Sequence, residues 1–503
     1  MTRPMPQTDR LPHALYTAAQ VREFDRLAIQ DYGIPGAELM ERAGTASYRL
    51  LRRLWPEARD ITLVCGLGNN AGDGYVVARL ALADGLGVRV RQLGDRDRLR
   101  GDALTMALAY DQAGGEVLPF TGLPSRTDVI VDAILGTGLE RPLTGLWAEA
   151  IQAINRHPAP VLAIDIPSGL DSDRGQVLGI AVEAEATISF IGLKLGLFVG
   201  TGPDHCGDIY FDALGVPARV YSHELLSAKR LDWEQQSSLL TPRRRTAHKG
   251  DFGHVLVVGG AQGMGGAARL AAEAAARTGA GLVSLATWPG HAAALTMTRP
   301  EIMTKGVEAP ADLDPLLQRA TQIVLGPGLG QDAWGRSLWS RVLETDRPLV
   351  IDADGLNLLG NTPRHRDDWV LTPHPGEAAR LLGLTTAAVQ ADRFAAALAL
   401  RQRFGGLVVL KGAGTLIQGP DVRPPGVCSQ GNPGMASGGM GDVLAGIIGG
   451  LAAQGFDLQT SAEMGVCLHG AAADRAAARG ERGLLAGDLL AELRPLLNPE
   501  IHS

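Results

Sequence analysis

Short apolar runs that break into glycine-rich loops, each followed by an amphipathic stretch, recur along most of this chain. Ile61–Cys65, Val88–Leu93, DVIVDAILGTG and PVLAIDIPSG read as buried strands, and the last two run straight into glycine loops. GLGNNAGDG reads as a loop after the first of these strands, with YVVARLALAD as the helix behind it. Upstream, Thr17-Ala-Ala-Gln20 has the form of a capping box that opens a helix running to about Asp31. LMERAGTASYRLLRRL gives a second helix. The same rhythm restarts past Gly253 with HVLVVGG, the helix AARLAAEAAART and the strand GLVSLAT. Further strand–loop junctions are QIVLGPGLG, PLVIDADG, WVLTPHPGE and LVVLKGAGT, and two helices, AEMGVCLHGAAADRAAA and AGDLLAELRPLL, close the series. Such alternation implies parallel sheets with helices on both faces, an α/β architecture.

At 503 residues the chain exceeds what one hydrophobic core serves, so two domains are expected. A polar stretch around 222–250 separates them, giving domains at 15–225 and 243–503 with a linker over 226–242. The first residues, with three prolines, read as a loose lead. Arg243–Arg245 reads as part of the solvated linker, because no aromatic residues interleave it. An apolar content of 45% with 20% charged residues excludes a disordered chain. The net charge of −7 gives no general attraction to nucleic acid or anionic lipid, so neither is expected as a partner. Cys65, Cys206, Cys428 and Cys467 form no CxxC pair, which argues against a disulfide framework or a zinc site. The opening residues lack an apolar core of signal-peptide length and no run is long enough to span a bilayer, so a cytoplasmic protein is expected.

The densest chemistry lies in GNPGMASGGMGDVLAGIIGG, where glycines precede an apolar helix whose first turn carries Asp442. Glycines there let several backbone N–H groups point at one spot, and the helix dipole adds positive potential to it. Such a nest suits a phosphoryl group in transfer, with Asp442 placed to take a proton from the attacking hydroxyl. The same pattern also fits a close helix-packing loop with Asp442 as its cap. KGAGT (411–415) and GPGLG (326–330) end two further strands in anion-cradling loops and favour the first reading.

Together these elements resemble the ribokinase-like superfamily and, more closely, the ADP-dependent NAD(P)H-hydrate dehydratases. The resemblance is carried by HKGDFG, GPGLG, IDADGLN, LTPHPGE, KGAGT and GNPGMASGGMGDVLAG, over most of residues 243–490. It implies repair of NADH or NADPH that has taken up water and carries a hydroxyl on carbon 6, with ADP as co-substrate. Asp442 would be the base, and Gly441 would hold the phosphoryl group. Lys411, Gly412, Ala413, Gly414 and Thr415 would hold the nucleotide. His374, Gly328 and Ala267 would contact the hydrate, although a histidine between two prolines also serves as an ordered loop residue. Mg²⁺ is expected in this half, where Asp352 and Asp354 are able to coordinate it through water and equally able to serve as loop caps.

In the first half, GLGNNAGDG is not a dinucleotide-binding GxGxxG. It offers the amides of Asn69 and Asn70 and the acid Asp73, while two strand ends supply Asp132 and Asp165. Carboxyl ends of parallel strands converge on one crevice, and these oxygens there suit a hard cation. This half looks like the NAD(P)H-hydrate epimerase domain, through QVREFDRLAI, MERAG, GLGNNAGDG, VDAILGTGL, RPLTG, DIPSGLDSDRG and GLKLGL. The resemblance implies a Rossmann-like three-layer parallel-sheet domain ahead of the ribokinase-like α/β domain. K⁺ would sit on Asn70, Asp132 and Ser168. Substrate would lie along Asn69, Asn70, Ala71, Gly72 and Asp73, and along Gly136, Thr137, Gly138, Leu139, Glu140, Arg141 and Pro142. Asp165 would be the acid/base at the inverting carbon, or else a cap for the IPSG turn; Lys194 lies near the site or snorkels at a helix edge. Ala71 stands where the family usually has glycine, which matters only if that backbone needs positive φ. A bifunctional enzyme acting on both epimers of the hydrate, assembled as a homo-oligomer of four or more subunits, is what the whole resemblance implies. The helix AARLAAEAAA would be a face able to pack between subunits.

Overall fold

The computed structural model describes residues 11–139, 141–420 and 422–498. The loose lead expected before residue 14 lies mostly outside them, as does Glu140. The chain divides into two compact units, Met1–Lys229 and Arg230–Ser503.

In the first unit seven strands lie side by side, all parallel. Their order is Val117–Pro119, Gly87–Gln92, Asp60–Cys65, Val129–Ala133, Val161–Ile164, Ala186–Phe190 and Asp208–Asp212. Successive side chains serve opposite faces. Leu63 and Val131 join a core with Leu51, Val76 and Ala107 from the helices Gly36–Leu54, Asn69–Ala83 and Gly101–Gln112. Val64 and Ile130 instead meet Ile151 and Ile154 of the helix Leu146–Arg156 on the other face. The result is three layers, with Cys65, Ala133 and Ile164 delivering their loops to one edge.

The expected capping box is present, with Thr17 and Gln20 opening the helix Ala18–Gln30. Just before it, the strand Ala14–Tyr16 pairs in parallel with Leu193–Lys194, Tyr16 opposite Lys194. Phe24 packs edge-on against Tyr16 and Tyr221 and holds the helix down.

Two expectations need correction here. GLGNNAGDG is not a loop throughout, since the helix begins at Asn69 and runs to Ala83. Asparagine and glycine mark loops and first helical turns alike, so the composition did not separate them. Ala71 is buried in that first turn with ordinary helical backbone. The span read as a linker carries a strand, Ala228–Leu231, and a helix, Trp233–Ser237 capped by Asp232. The pairing of Leu15 with Ala228 supplies the partner that the polar sequence did not announce.

In the second unit the strand order is Met303–Gly306, Leu282–Thr287, His254–Val258, Gln322–Leu325, Leu349–Ile351, Trp369–Leu371 and Leu407–Leu410, all parallel. Thr415–Gln418 and Gly426–Cys428 continue it antiparallel. Val255, Val324, Val350 and Val409 form one core with the helices Gly265–Thr278, Met440–Ala453, Leu458–Ala476 and Ala486–Leu497. Ala268, Ala271, Ala272, Ala274 and Ala275 of AARLAAEAAART are buried inside this unit. A Cβ on Gly446 would lie 2.1 Å from the Ala271 carbonyl, so these two helices meet backbone to backbone. Arg243 lies over the Phe252 ring, 3.6 Å from its centroid, and donates to the Gly279 carbonyl, so it is not simply solvated.

Candidate active sites

In the second unit, Asp442 lies in the first turn of Met440–Ala453, behind Gly439 at φ +91°, a value that glycine alone adopts without strain. Lys411, at the end of Leu407–Leu410, donates to Asp352 Oδ1 at 2.8 Å and lies 3.9 Å from Glu377 Oε2. A Cβ on Gly441 would sit 3.1 Å from both Asp352 Oδ2 and Lys411 Nζ, so the glycine leaves the helix start open over this pair. Burial pushes the Asp442 carboxyl up to about 7, helped by Asp352, Asp354 and Glu377 and opposed by Lys411. Glu377 is likewise raised, chiefly by burial. Ala353, between the two aspartates, holds φ +48°, a strained conformation of the kind that collects at functional sites.

His374 caps the helix Pro375–Leu382. Its Nδ1 accepts from the backbone of Gly376 at 3.0 Å and of Glu377 at 3.4 Å, which leaves the ring proton on Nε2. Burial, Lys411 and Arg380 lower its affinity for a second proton. The ordered-loop role is therefore filled, and the half-exposed Nε2–H lies 3.6 Å from Glu377 Oε1, beyond hydrogen-bond distance, and is left to donate to a ligand. Gly328 and Ala267 adjoin, since a Cβ on Gly328 would lie 3.2 Å from that of Ala267. Asp354 Oδ2 accepts from Gly330 N at 2.9 Å, tying the GPGLG loop to the IDADG turn.

The KGAGT loop has a support that the sequence did not reveal. Arg393, 2% exposed, donates to the carbonyls of Leu410, Lys411 and Gly414 at 3.1, 3.3 and 3.2 Å. Gly412 and Ala413 are exposed above it, and Thr415 Oγ1 closes the loop onto the Gly412 carbonyl. An arginine 18 residues before the loop in sequence carries no motif that would have flagged it.

In the first unit, Asn69 is exposed at the helix start, whereas Asn70 is buried and both its amide atoms lack a partner. Ala71 and Gly72 are buried beside it, and Gly72 packs against Met40. Asp132 accepts from Ser168 Oγ at 2.7 Å, Ser168 N at 2.8 Å and Ile134 N at 3.2 Å. Asp132 thus holds the IPSG turn, the task considered for Asp165. Asp165 itself stands at φ +68° and ion-pairs with the fully buried Lys194, which also donates to Ser189 Oγ at 3.0 Å. A Cβ on Gly136 would lie 3.2 Å from Asp165 Oδ2 and 3.8 Å from Asn70 Cγ, so loop, acid and amide share one crevice. The Thr137 carbonyl accepts from Arg22 at 3.1 Å, Leu139 is half-buried, and Gly138, Arg141 and Pro142 are exposed. Asp73 is raised well above the usual carboxylate range by burial, with Asp165 and Asp25 adding to it.

Each unit is thus a parallel-sheet enzyme scaffold with its polar groups gathered at the carboxyl ends of the strands, one around an anion-cradling helix start and one around an unpartnered amide. Comparison with known proteins agrees. Residues 36–196 match the family described as YjeF-related protein N-terminus, and residues 255–495 match NAD(P)H-hydrate dehydratase. The bifunctional NAD(P)H-hydrate repair enzyme Nnr of Coxiella burnetii is 50% identical over 487 residues, covering 96% of this chain and 99% of that protein. The enzyme of the same name from Escherichia coli K12 is 44% identical over 494 residues, covering 98% and 95%. A ribokinase-like superfamily protein of Enterococcus faecalis V583 superposes with a TM-score of 0.51 at 30% identity, over 55% of this chain and 97% of that one. The chain belongs to the bifunctional NAD(P)H-hydrate repair enzymes. Its two activities, epimerase and dehydratase, are those the sequence motifs implied.

Proposed function

We propose that the unit up to Lys229 interconverts the R and S hydrates of NADH and NADPH, and that the unit from Arg230 dehydrates the S form with ADP, giving AMP and phosphate. The observation that carries the second half is Asp442 at the mouth of a glycine-cradled helix, its carboxyl poised at about 7. Asp442 takes the proton of the carbon 6 hydroxyl as its oxygen attacks the β-phosphorus of ADP and AMP departs. Phosphate then leaves carbon 6 and a proton leaves carbon 5, which restores the ring double bond. Gly441 and Gly439 hold the phosphoryl group with backbone N–H donors, and Lys411–Thr415 hold the nucleotide. His374 Nε2–H, Gly328 and Ala267 contact the hydrate.

In the first unit the orphaned Asn70 oxygen, together with the Asp132 and Ser168 oxygens, fits a hard cation, and K⁺ would be held there. The cation would supply positive charge beside the substrate loops Asn69–Asp73 and Gly136–Pro142. Lys411 pairs with Asp352 Oδ1 and the Gly330 backbone with Asp354 Oδ2, so these carboxylates would meet Mg²⁺ through water. Mg²⁺ would arrive on the nucleotide phosphates. The four cysteines are buried and unpaired, in keeping with a cytoplasmic setting. No described helix is long and apolar enough to cross a membrane. Homo-oligomer formation rests on family resemblance alone.

The test offers the purified chain both hydrate epimers with ADP, then with ATP, and follows the absorbance of the reduced ring. Complete recovery with ADP supports both assignments. Recovery with ATP alone would change the donor but keep the dehydratase, whereas no recovery with either donor and a phosphorylated product would replace the second assignment with a kinase reading.

A further inference from the structure

One carboxyl in the first unit belongs to none of the residues assigned so far. Asp25 lies half-buried on the helix Ala18–Gln30, and the neighbours of that helix bracket it. One turn earlier on the same face, Val21 touches Gly192, where an added Cβ would lie 3.0 Å from Val21 Cγ2. Gly192 leads into Lys194, and Lys194 pairs in register with Tyr16 just ahead of the helix. Three residues before Asp25, Arg22 donates to the Thr137 carbonyl of the loop assigned to substrate. The position between these two contacts brings Asp25 to the Asp165–Lys194 pair and to the loop together.

Inverting carbon 6 takes two proton-handling groups. One gives a proton to the hydroxyl leaving from one face, as the C6–O bond breaks and the lone pair of N1 forms a C6=N1 iminium. The other takes a proton from the water adding on the opposite face, as the π pair returns to nitrogen. Water leaves and water enters, so no oxidant or reductant is needed. The two groups must then exchange the proton before the next turnover.

We propose that Asp25 is a further acid–base group of the epimerase site, the partner that Asp165 needs to invert carbon 6. The inference rests on the assignment of Asp165 to this reaction. Charge supports it: Asp25, Asp73 and Asp165 face the single buried ammonium of Lys194, too little positive charge for three ionised carboxylates. Burial first, then Asp165, push the Asp25 carboxyl up to about 6 against the pull of Lys194, and burial raises Asp73 as well. The Tyr221 phenol also neighbours Asp25, and its hydroxyl is committed to the Ile191 carbonyl at 2.8 Å. A carboxyl titrating near the working pH both gives and accepts protons, as a reversible inversion requires.

The experiment follows conversion of the R hydrate to the S form in the full chain without ADP, by chromatography across pH. Asp25→Asn should slow it by about 100-fold or more and remove the limb of the profile near 6, while dehydration of the S form with ADP is unchanged. Asp25→Glu, which keeps the carboxyl, should recover part of the rate together with that limb. Conversion by Asp25→Asn at the native rate with the native profile would overturn the proposal. Equal loss in both variants, with the surviving profile unaltered, would make Asp25 structural and overturn it too. Asp165→Asn tests the underlying assignment separately: full activity there would remove Asp165 from the reaction, whatever Asp25 does.

Discussion

The ammonium of Lys411 donates to Asp352 Oδ1 across 2.8 Å, although 59 residues separate the two in sequence. Gly441 keeps the space above this pair open, and Asp442 stands beside it on the next residue. The pair therefore sets the charge that Asp442 feels. Asp352 and Glu377 raise its carboxyl and Lys411 restrains it.

With Asp442 as the proposed base, its raised proton affinity predicts that dehydration depends on pH in a defined direction. A base must be ionised, so the turnover rate should rise with pH up to about 7 and level off above it. Asp352→Asn removes a neighbouring negative charge and should move that limb to lower pH. Lys411→Met removes the positive one and should move it to higher pH. A profile that ignores both substitutions would contradict the assigned neighbours.

Stability should respond with the opposite preference. The folded value of about 7 lies above the ordinary 3.8, so the proton on Asp442 favours the fold at low pH. That stabilisation is complete below the unfolded value and is lost as pH rises through the folded one. Asp442→Asn should then unfold at a higher temperature than the native chain at about pH 8, and at nearly the same temperature at about pH 4. Thermal unfolding followed by circular dichroism at the two pH values checks this.

Arg393 holds three loop carbonyls at once. Arg393→Met should leave them unpaired, at a cost of about 1–3 kcal/mol each at most, and loosen the KGAGT loop. The expected readout is a raised KM for ADP, tenfold or more on the order of one lost loop contact, with epimerisation unaffected. An unchanged KM would leave Arg393 a purely structural prop.

For the proposed K⁺ site, Asn70 is the residue to test. Asn70→Ala should abolish any acceleration of epimerisation by K⁺ over a larger organic cation such as tetramethylammonium, because it deletes the unpartnered oxygen. Retained K⁺ acceleration in that variant would place the cation elsewhere.

Much of both sites was legible because parallel-sheet folds place function where an apolar run meets a glycine loop, and both features stand in the sequence. Asp442, the KGAGT loop and Asp165 stand out as candidates in that way. Residues whose role depends on what the fold brings next to them do not. Arg393 and Asp25 sit on helices whose polar residues look like any solvated face, and only the fold shows what they meet. Lys194 stood between two roles until its pairing with Asp165 became visible. The helix start at Asn69 was not legible because asparagine and glycine mark loops and first helical turns alike.

The most direct test of the account gives Asp442→Asn a mixture of hydrate epimers with ADP and follows both the reduced ring and the epimer ratio. The account predicts interconverting epimers with recovery of the reduced cofactor slowed by about 100-fold or more. Recovery at the native rate would contradict it.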